Sequence, residues 1–391
     1  MKFDFDKVVD RHGTKCLKYD FAKERGRSDD MLPLWVADMD FQTAPGIQKS
    51  LSDAVAHGIY GYSEGKDDYF QAAAGWYEKH FGWKVEKEWL IKTPGVVFAL
   101  AMAVKAYTKE GDAVLLQQPV YYPFSEVITD NHRRLINSPL QQIDGHYEIN
   151  FEEFEQKIVE ENVKLFLMCS PHNPVGRVWK EWELRKIGDI CLKHNVLVVS
   201  DEIHSDFTYG ENIHHVFASL DEKYAAITTT CTAPSKTFNI AGLQISNIWI
   251  SNPELRSRFR AEVTAAGYSQ VNLMGLVACQ AAYETGEEWL KELKIYLEGN
   301  LDYVRTFLKE NLPEIKLTEP EGTYLLWLDF KSLGMKEEQL KDLVENKAKL
   351  WLDSGEMFGP DGEGFERINI ACPREILKQA LTQLAESVHD R

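Results

Sequence analysis

Six side chains of the kinds that do covalent or acid–base chemistry stand just beyond short apolar runs: Tyr121, Asn173, Asp201, His204, Ser235 and Lys236. Lys236 leads them. It lies in Cys231-Thr232-Ala233-Pro234-Ser235-Lys236-Thr237-Phe238-Asn239, after a β-branched run over residues 225–230 that reads as a buried strand. Pro234 ends that strand and puts Lys236 in the turn beyond it. A lysine there is either a snorkelling surface group or an amine kept for chemistry. Gly95-Val96-Val97, after Thr93-Pro94, adds a helix start whose backbone N–H groups and positive dipole end suit an anion.

Metal and hydrolase chemistry fit these groups poorly. Asp201 and His204 are three apart, but no second histidine–carboxylate pair appears at helical spacing, so no metal site is expected. No Gly-x-Ser-x-Gly elbow is present. The six cysteines are scattered without Cys-x-x-Cys spacing and read as buried free thiols in a reducing compartment. A pyridoxal 5'-phosphate site accounts for the whole set. Lys236 would hold the aldehyde, and Asp201 would pair with the pyridine nitrogen so that the ring draws electrons. Tyr121 would stack on the ring. Asn173 and His204 would bond its phenolic oxygen, while Gly95-Val96-Val97 and Ser235 would hold the phosphate.

Such a site needs elements that bring these groups to one edge. Helical patterns cover residues 46–57, 67–81, 97–108, 152–161, 181–194 and 253–266; strand patterns cover 113–117, 164–169, 196–200, 225–231 and 244–251. This alternation predicts an α/β fold, a mostly parallel sheet of the seven-stranded type sandwiched by helices. Ligands bind beyond the carboxyl ends of such strands, where the polar groups named above stand. Beyond residue 286 the pattern changes to a long charged helix (287–311), a strand (324–330), a helix (336–348), a short strand (367–371) and a last helix (374–388). The expected division is a large domain over 48–285 and a smaller α+β domain made of 1–47 and 286–391. The loop 58–65 carries Tyr60 and Tyr62 between glycines, which suggests packing against another subunit.

Five segments together resemble a known family: Pro33-Leu34-Trp35-Val36-Ala37-Asp38-Met39-Asp40-Phe41, Ser170-Pro171-His172-Asn173-Pro174-Val175-Gly176-Arg177-Val178-Trp179, Ser200-Asp201-Glu202-Ile203-His204-Ser205-Asp206-Phe207, Ala233 to Asn239, and Arg367-Ile368-Asn369-Ile370-Ala371-Cys372-Pro373. They are similar to the fold-type I pyridoxal phosphate enzymes of the class I/II aminotransferase superfamily. The nearer likeness is to its cystathionine β-lyase or C–S lyase branch. The resemblance implies the PLP-dependent transferase fold and an arginine, Arg367, that grips the substrate α-carboxylate. It also implies a backbone contact to that carboxylate at Ala37, with Asn173 beside it. Tyr62 and Tyr122, with Tyr121 and Tyr324, would shape the substrate pocket. Tyr60 would reach across a homodimer to the neighbour's phosphate, and Asn173-Pro174 would be cis. Two positions depart from the superfamily pattern: Gln244 stands where an arginine often bonds the phosphate, and Ala233 where a serine is common. Phosphate binding would then lean on Ser235, Tyr60 and backbone N–H groups.

The chain has 391 residues, with 44 Lys and Arg against 61 Asp and Glu for a net charge of −17. An acidic surface argues against nucleic acid and anionic membranes. The charged N-terminus and the lack of a ~20-residue apolar run predict a soluble, cytoplasmic protein. The expected activity is α,β-elimination from cystathionine- or cysteine-type substrates, giving a thiol, pyruvate and ammonia. An aminotransferase would use the same residues, and a regulatory protein that keeps the fold is a third reading.

Overall fold

The computed structural model describes residues 2–391. Its largest sheet has seven strands in the order Leu90–Thr93, Ser246–Trp249, Thr228–Thr232, Leu197–Asp201, Val163–Cys169, Ala113–Leu116 and Arg134–Asn137. Val163–Cys169 is buried at six of its seven positions, as a strand covered on both faces must be. Five neighbouring strands run parallel. Ser246–Trp249 alone is reversed, pairing antiparallel with Thr228–Thr232 and Leu90–Thr93. The chain between them returns through two short turns of helix, Pro234–Thr237 and Ala241–Leu243, without a crossover long enough to restore the direction.

The helix Val96–Tyr107 buries Val96, Ala99, Leu100, Ala103, Val104 and Tyr107, an i, i+3, i+4 series that packs against Pro253–Ala265 on one face of the sheet. Phe151–Glu160 and Glu181–Lys193 cover the other face through Phe154, Ile158, Leu184 and Ile187. These elements agree with the periodicity to within a residue or two. The strand expected over 225–231 is later and shorter, because Asp221 caps a one-turn helix, Glu222–Ala225, that uses up its beginning. Lys236 lies on the short helix Pro234–Thr237, which Pro234 opens, and not in a turn. The helix Leu273–Thr285 has no sequence counterpart. It is buried on nearly every side, so it lacks the apolar–polar alternation that betrays a surface helix.

A second, four-stranded sheet is antiparallel, in the order Lys316–Thr318, Leu325–Asp329, Phe365–Asn369, Asp353–Ser354, and two further sheets have two strands each. The unbroken helix Glu287–Asn311 and the last helix, Arg374–His389, share a core with the four-stranded sheet. The N-terminal segment joins these elements: Leu32–Pro33 pairs in parallel with Leu350–Trp351, and Trp35 stacks on Trp351 with centroids 4.5 Å apart.

Arg177 ties the two larger sheets together. It follows the turn that carries Asn173, and its buried guanidinium donates to Glu183 (2.9 Å), to Glu321 (2.9 Å) and to the Tyr147 carbonyl. Removing the cation leaves two carboxylates in a dry interior. Arg177→Met is therefore expected to lower the unfolding free energy by about 3–5 kcal/mol in urea titration.

Candidate active site

The parallel strands end on the same edge, and the connections that follow them converge. Tyr121 follows Ala113–Leu116, Asn173 follows Val163–Cys169, Asp201 closes Leu197–Asp201 with His204 just beyond, and Lys236 follows Thr228–Thr232. These residues, with Ala37, Ser235 and the Gly95–Val97 helix start, line one cavity of about 250 Å³. Tyr121 is fixed there through its backbone, its N–H donating 3.0 Å to the Asn173 carbonyl. The Asn173–Pro174 peptide is cis, as the resemblance implies.

Burial sets the charge states. It lowers the Lys236 ammonium to about 8, helped by Arg367 and opposed by Asp38 and Asp201. Burial also raises the Asp201 carboxyl to about 7, against the pull of the Ile203 N–H (3.1 Å) and of Lys236. His204 is driven down to about 3, by burial first and then by Lys236 and Arg367, so its imidazole is neutral. Its Nδ1 is buried and has no partner among the described residues. The Cys169 thiol, also on the cavity wall, is pushed up by burial and stays protonated.

One backbone carbonyl holds the amine. Lys236 Nζ donates 2.7 Å to the Ala37 oxygen, and the buried Tyr324 hydroxyl donates 3.0 Å to the same atom. The segment carrying Ala37 is clamped on both sides. The Asn369 amide donates to the Val36 and Asp38 carbonyls (2.8 and 2.6 Å). Asn239, three residues after Lys236, donates to the carbonyls of Met39 and Phe41 (2.9 and 2.8 Å) and accepts from the Met39 N–H (2.9 Å).

Arg367 stands behind Asn173 and does not line the cavity itself. Its guanidinium is 1% exposed and donates to Asn173 Oδ1 (3.0 Å), the Trp35 carbonyl (2.8 Å) and Asp353, while Nε is left without a partner among the described residues. Tyr122 is half-buried beside Phe358 and is also off the cavity wall. Tyr60 and Tyr62 are 59% and 95% exposed. Their loop is tied to the chain by an ion pair between Glu64 and Lys92, and among the described residues the Tyr60 hydroxyl bonds only the nearby Val55 carbonyl at 3.2 Å. They border a neighbouring cleft that shares Pro94 and Gln244 with the cavity of Lys236. Sequence reasoning missed Asp353. Its signal was a lone carboxylate directly after Leu350-Trp351-Leu352, a place where a charge needs a partner.

The arrangement fits a pyridoxal-type cofactor on three counts. The buried amine is within reach of its neutral form, and His204 offers an unused ring nitrogen to a phenolic oxygen. Gly95, at φ +155° before the helix Val96–Tyr107, is a position where a Cβ would meet nothing within 4 Å, leaving open space at the helix N-terminus for an anion. No cluster of metal-ligating side chains occurs among the described residues, and no described helix is long and apolar enough to cross a membrane.

Known proteins resemble this chain over nearly its whole length. The family described as aminotransferase class I and II matches residues 30–384. A cystathionine β-lyase of Bacillus subtilis, PatB, is 43% identical over 381 residues, covering 97% of this chain and 98% of that protein. The crystal structure of cystalysin from Treponema denticola, which contains pyridoxal 5'-phosphate, superposes with a TM-score of 0.96 at 39% identity and covers 100% of both chains. The PLP-bound C–S lyase from Staphylococcus hominis gives a TM-score of 0.93 at 34% identity, covering 99% and 98%.

A depressed ammonium has a direct readout. In cofactor-free protein, labelling of Lys236 by an amine-reactive reagent, followed by peptide mass spectrometry, should rise with pH around a midpoint near 8. Labelling of the exposed Lys23, whose ammonium is held above its ordinary value by Asp29, should still be rising above pH ~10.

Proposed function

This chain belongs to the aminotransferase class I and II family, and on that premise we propose that it is a pyridoxal phosphate-dependent carbon–sulfur β-lyase. It acts on cystathionine- or cysteine-type amino acids and releases a thiol, pyruvate and ammonia. The observation that carries this reading is the buried, readily neutralised amine of Lys236 facing Asp201 across a cavity that leads through Asn173 to Arg367.

Lys236 would carry the cofactor, Asp201 would pair with its ring nitrogen, and Tyr121 would cover the ring face. Asn173 and His204 would bond its phenolic oxygen, with Ser235 and the Gly95, Val96 and Val97 N–H groups at its phosphate. When bound, pyridoxal phosphate supplies an aldehyde for the substrate amine and a ring that draws electrons from the α-carbon. The chain's own residues do the rest. Arg367, which reaches the cavity wall through its bond to Asn173, docks the α-carboxylate together with Asn173 and the backbone at Ala37. Lys236, once free, rests on the Ala37 carbonyl, and its neutral amine takes the proton from the α-carbon as general base. The ammonium so formed can hand that proton to the departing sulfur. A thiol with a pKa of ~8.5 leaves far more readily than an alcohol would.

Residues 48–285 form the cofactor-holding domain in this reading, and 1–47 with 286–391 form the domain that brings Arg367. The functional unit is a homodimer. Val55, Ile59, Tyr60, Tyr62 and Val97 are all exposed beside the site, and a second copy would cover them, with Tyr60 reaching its neighbour's phosphate and Tyr62 its substrate pocket. Six free cysteines, five of them buried, suit a reducing cytoplasm.

L-cystathionine should yield pyruvate without any added 2-oxo acid. Lys236→Ala should lower kcat by about 10²–10⁴-fold or more. Turnover that requires a 2-oxo acid acceptor would instead identify an aminotransferase. Light scattering should give a particle of twice the 44.9 kDa chain mass.

A further inference from the structure

Asp353 holds the arginine that docks the substrate carboxylate in the proposed reaction. It lies on the edge strand Asp353–Ser354, directly across the antiparallel ladder from Arg367. Both side chains are almost wholly buried, at 3% and 2% exposure, and Asp353 Oδ2 accepts from Arg367 Nη2. No other cation forms an ion pair with Asp353 among the described residues. The remaining contacts of the guanidinium are neutral: Asn173 Oδ1 at Nη1, the Trp35 carbonyl at Nη2, and the Phe358 ring 4.9 Å from Cζ. The cation behind Asn173 is therefore already neutralised, with both Nη atoms engaged and its buried Nε–H without a partner among the described residues.

We propose that Asp353 is the positioning and affinity-setting residue for the substrate carboxylate: it aims Arg367 by occupying Nη2 and weakens its hold by competing for the same charge. This rests on the assignment of Arg367 to the substrate carboxylate. An amino acid entering the site meets a dipole and not a bare cation. Its carboxylate must then bind where a second carboxylate is already buried, and at an effective dielectric of ~20 that like charge weakens binding by about tenfold or more. The consequence is a site that admits a monocarboxylate loosely and releases it readily. Such looseness suits an enzyme that must let a carboxylate product go.

The test uses holoenzyme and two small probes, propionate and propionamide, as competitive inhibitors of thiol release. Asp353→Asn keeps the shape and the hydrogen-bond acceptor but removes the charge. Propionate should then inhibit about tenfold more tightly while propionamide stays unchanged, and KM for the amino acid should fall more than kcat changes. Propionate should also raise the melting temperature of the variant more than that of the parent, because it supplies the counter-charge that a buried guanidinium lacks. A purely structural role would lower the melting temperature and leave propionate binding equal or weaker, which overturns the proposal. Should the asparagine variant fail to fold, Asp353→Ser makes the same prediction with a smaller side chain. Parent enzyme that releases thiol but is not inhibited by propionate would overturn the role of Arg367, and parent enzyme that releases no thiol would overturn the lyase reading; neither result resembles the failure of Asp353 alone.

Discussion

The contact on which the site depends is the 2.7 Å hydrogen bond from Lys236 Nζ to the carbonyl of Ala37. A buried amine without an acceptor costs a large desolvation penalty, so the interior must offer it one. The acceptor comes from a residue 199 positions away in the chain, on a segment with no regular secondary structure of its own. Irregular backbone holds its place only when its polar groups are taken up elsewhere. Asn369 and Asn239 do this, one from the antiparallel sheet and one from the loop after Lys236. The amine and its resting place are thereby fixed by the same few amides.

Desolvation, more than any single charge, tunes this site. It is the first cause for Lys236, for Asp201 and for His204, and it moves each toward its neutral form. The charges that remain refine the result: Asp38 pulls Lys236 back up, while Arg367 pushes both Lys236 and His204 down. Burial thus leaves an amine near 8 and a carboxyl near 7 on the walls of one cavity, each close to the neutral range in which acid–base groups work best. The neutral histidine contributes hydrogen-bonding capacity without adding charge.

Much of this was legible in the chain, and the exceptions have physical causes. Tyr121, Asn173, Asp201 and Lys236 could be placed together because parallel strands deliver their carboxyl ends to one edge, and each stands just past an apolar run. Helices with one wet face, such as Asp67–Phe81, were evident from their period. The helix Leu273–Thr285 was not, because burial on all sides erases the period. Leu90–Thr93 and Arg134–Asn137 lie at the two edges of the sheet and are only partly buried, so they lack the unbroken apolar run that marks Ala113–Leu116. The partnership of Asp353 with Arg367 could not be read at all, since the ladder register that joins them is a property of the folded sheet. Tyr60 and Tyr62 mark another limit: aromatic side chains left exposed by their own chain take their meaning from what lies outside it.

The buried ion pairs share a location that explains why they exist. Arg177 with Glu183 and Glu321, Arg367 with Asp353, and Lys18 with Asp40 all lie where the N-terminal segment or the large sheet meets the smaller one. Buried pairs are a weak source of net stability, because the cost of dehydrating two ions nearly cancels their attraction. Apolar side chains of similar size would hold the bodies together as well, but they would tolerate sliding. A guanidinium that must meet a carboxylate and a carbonyl at once has few acceptable positions. Arg367 is held in this way by Asn173 on one side and by Trp35 and Asp353 on the other, so its guanidinium cannot drift relative to the Lys236 cavity without stranding a charge. The ion pairs at the seam thus contribute register, and chemistry at a fixed point in a cavity depends on register more than on stability.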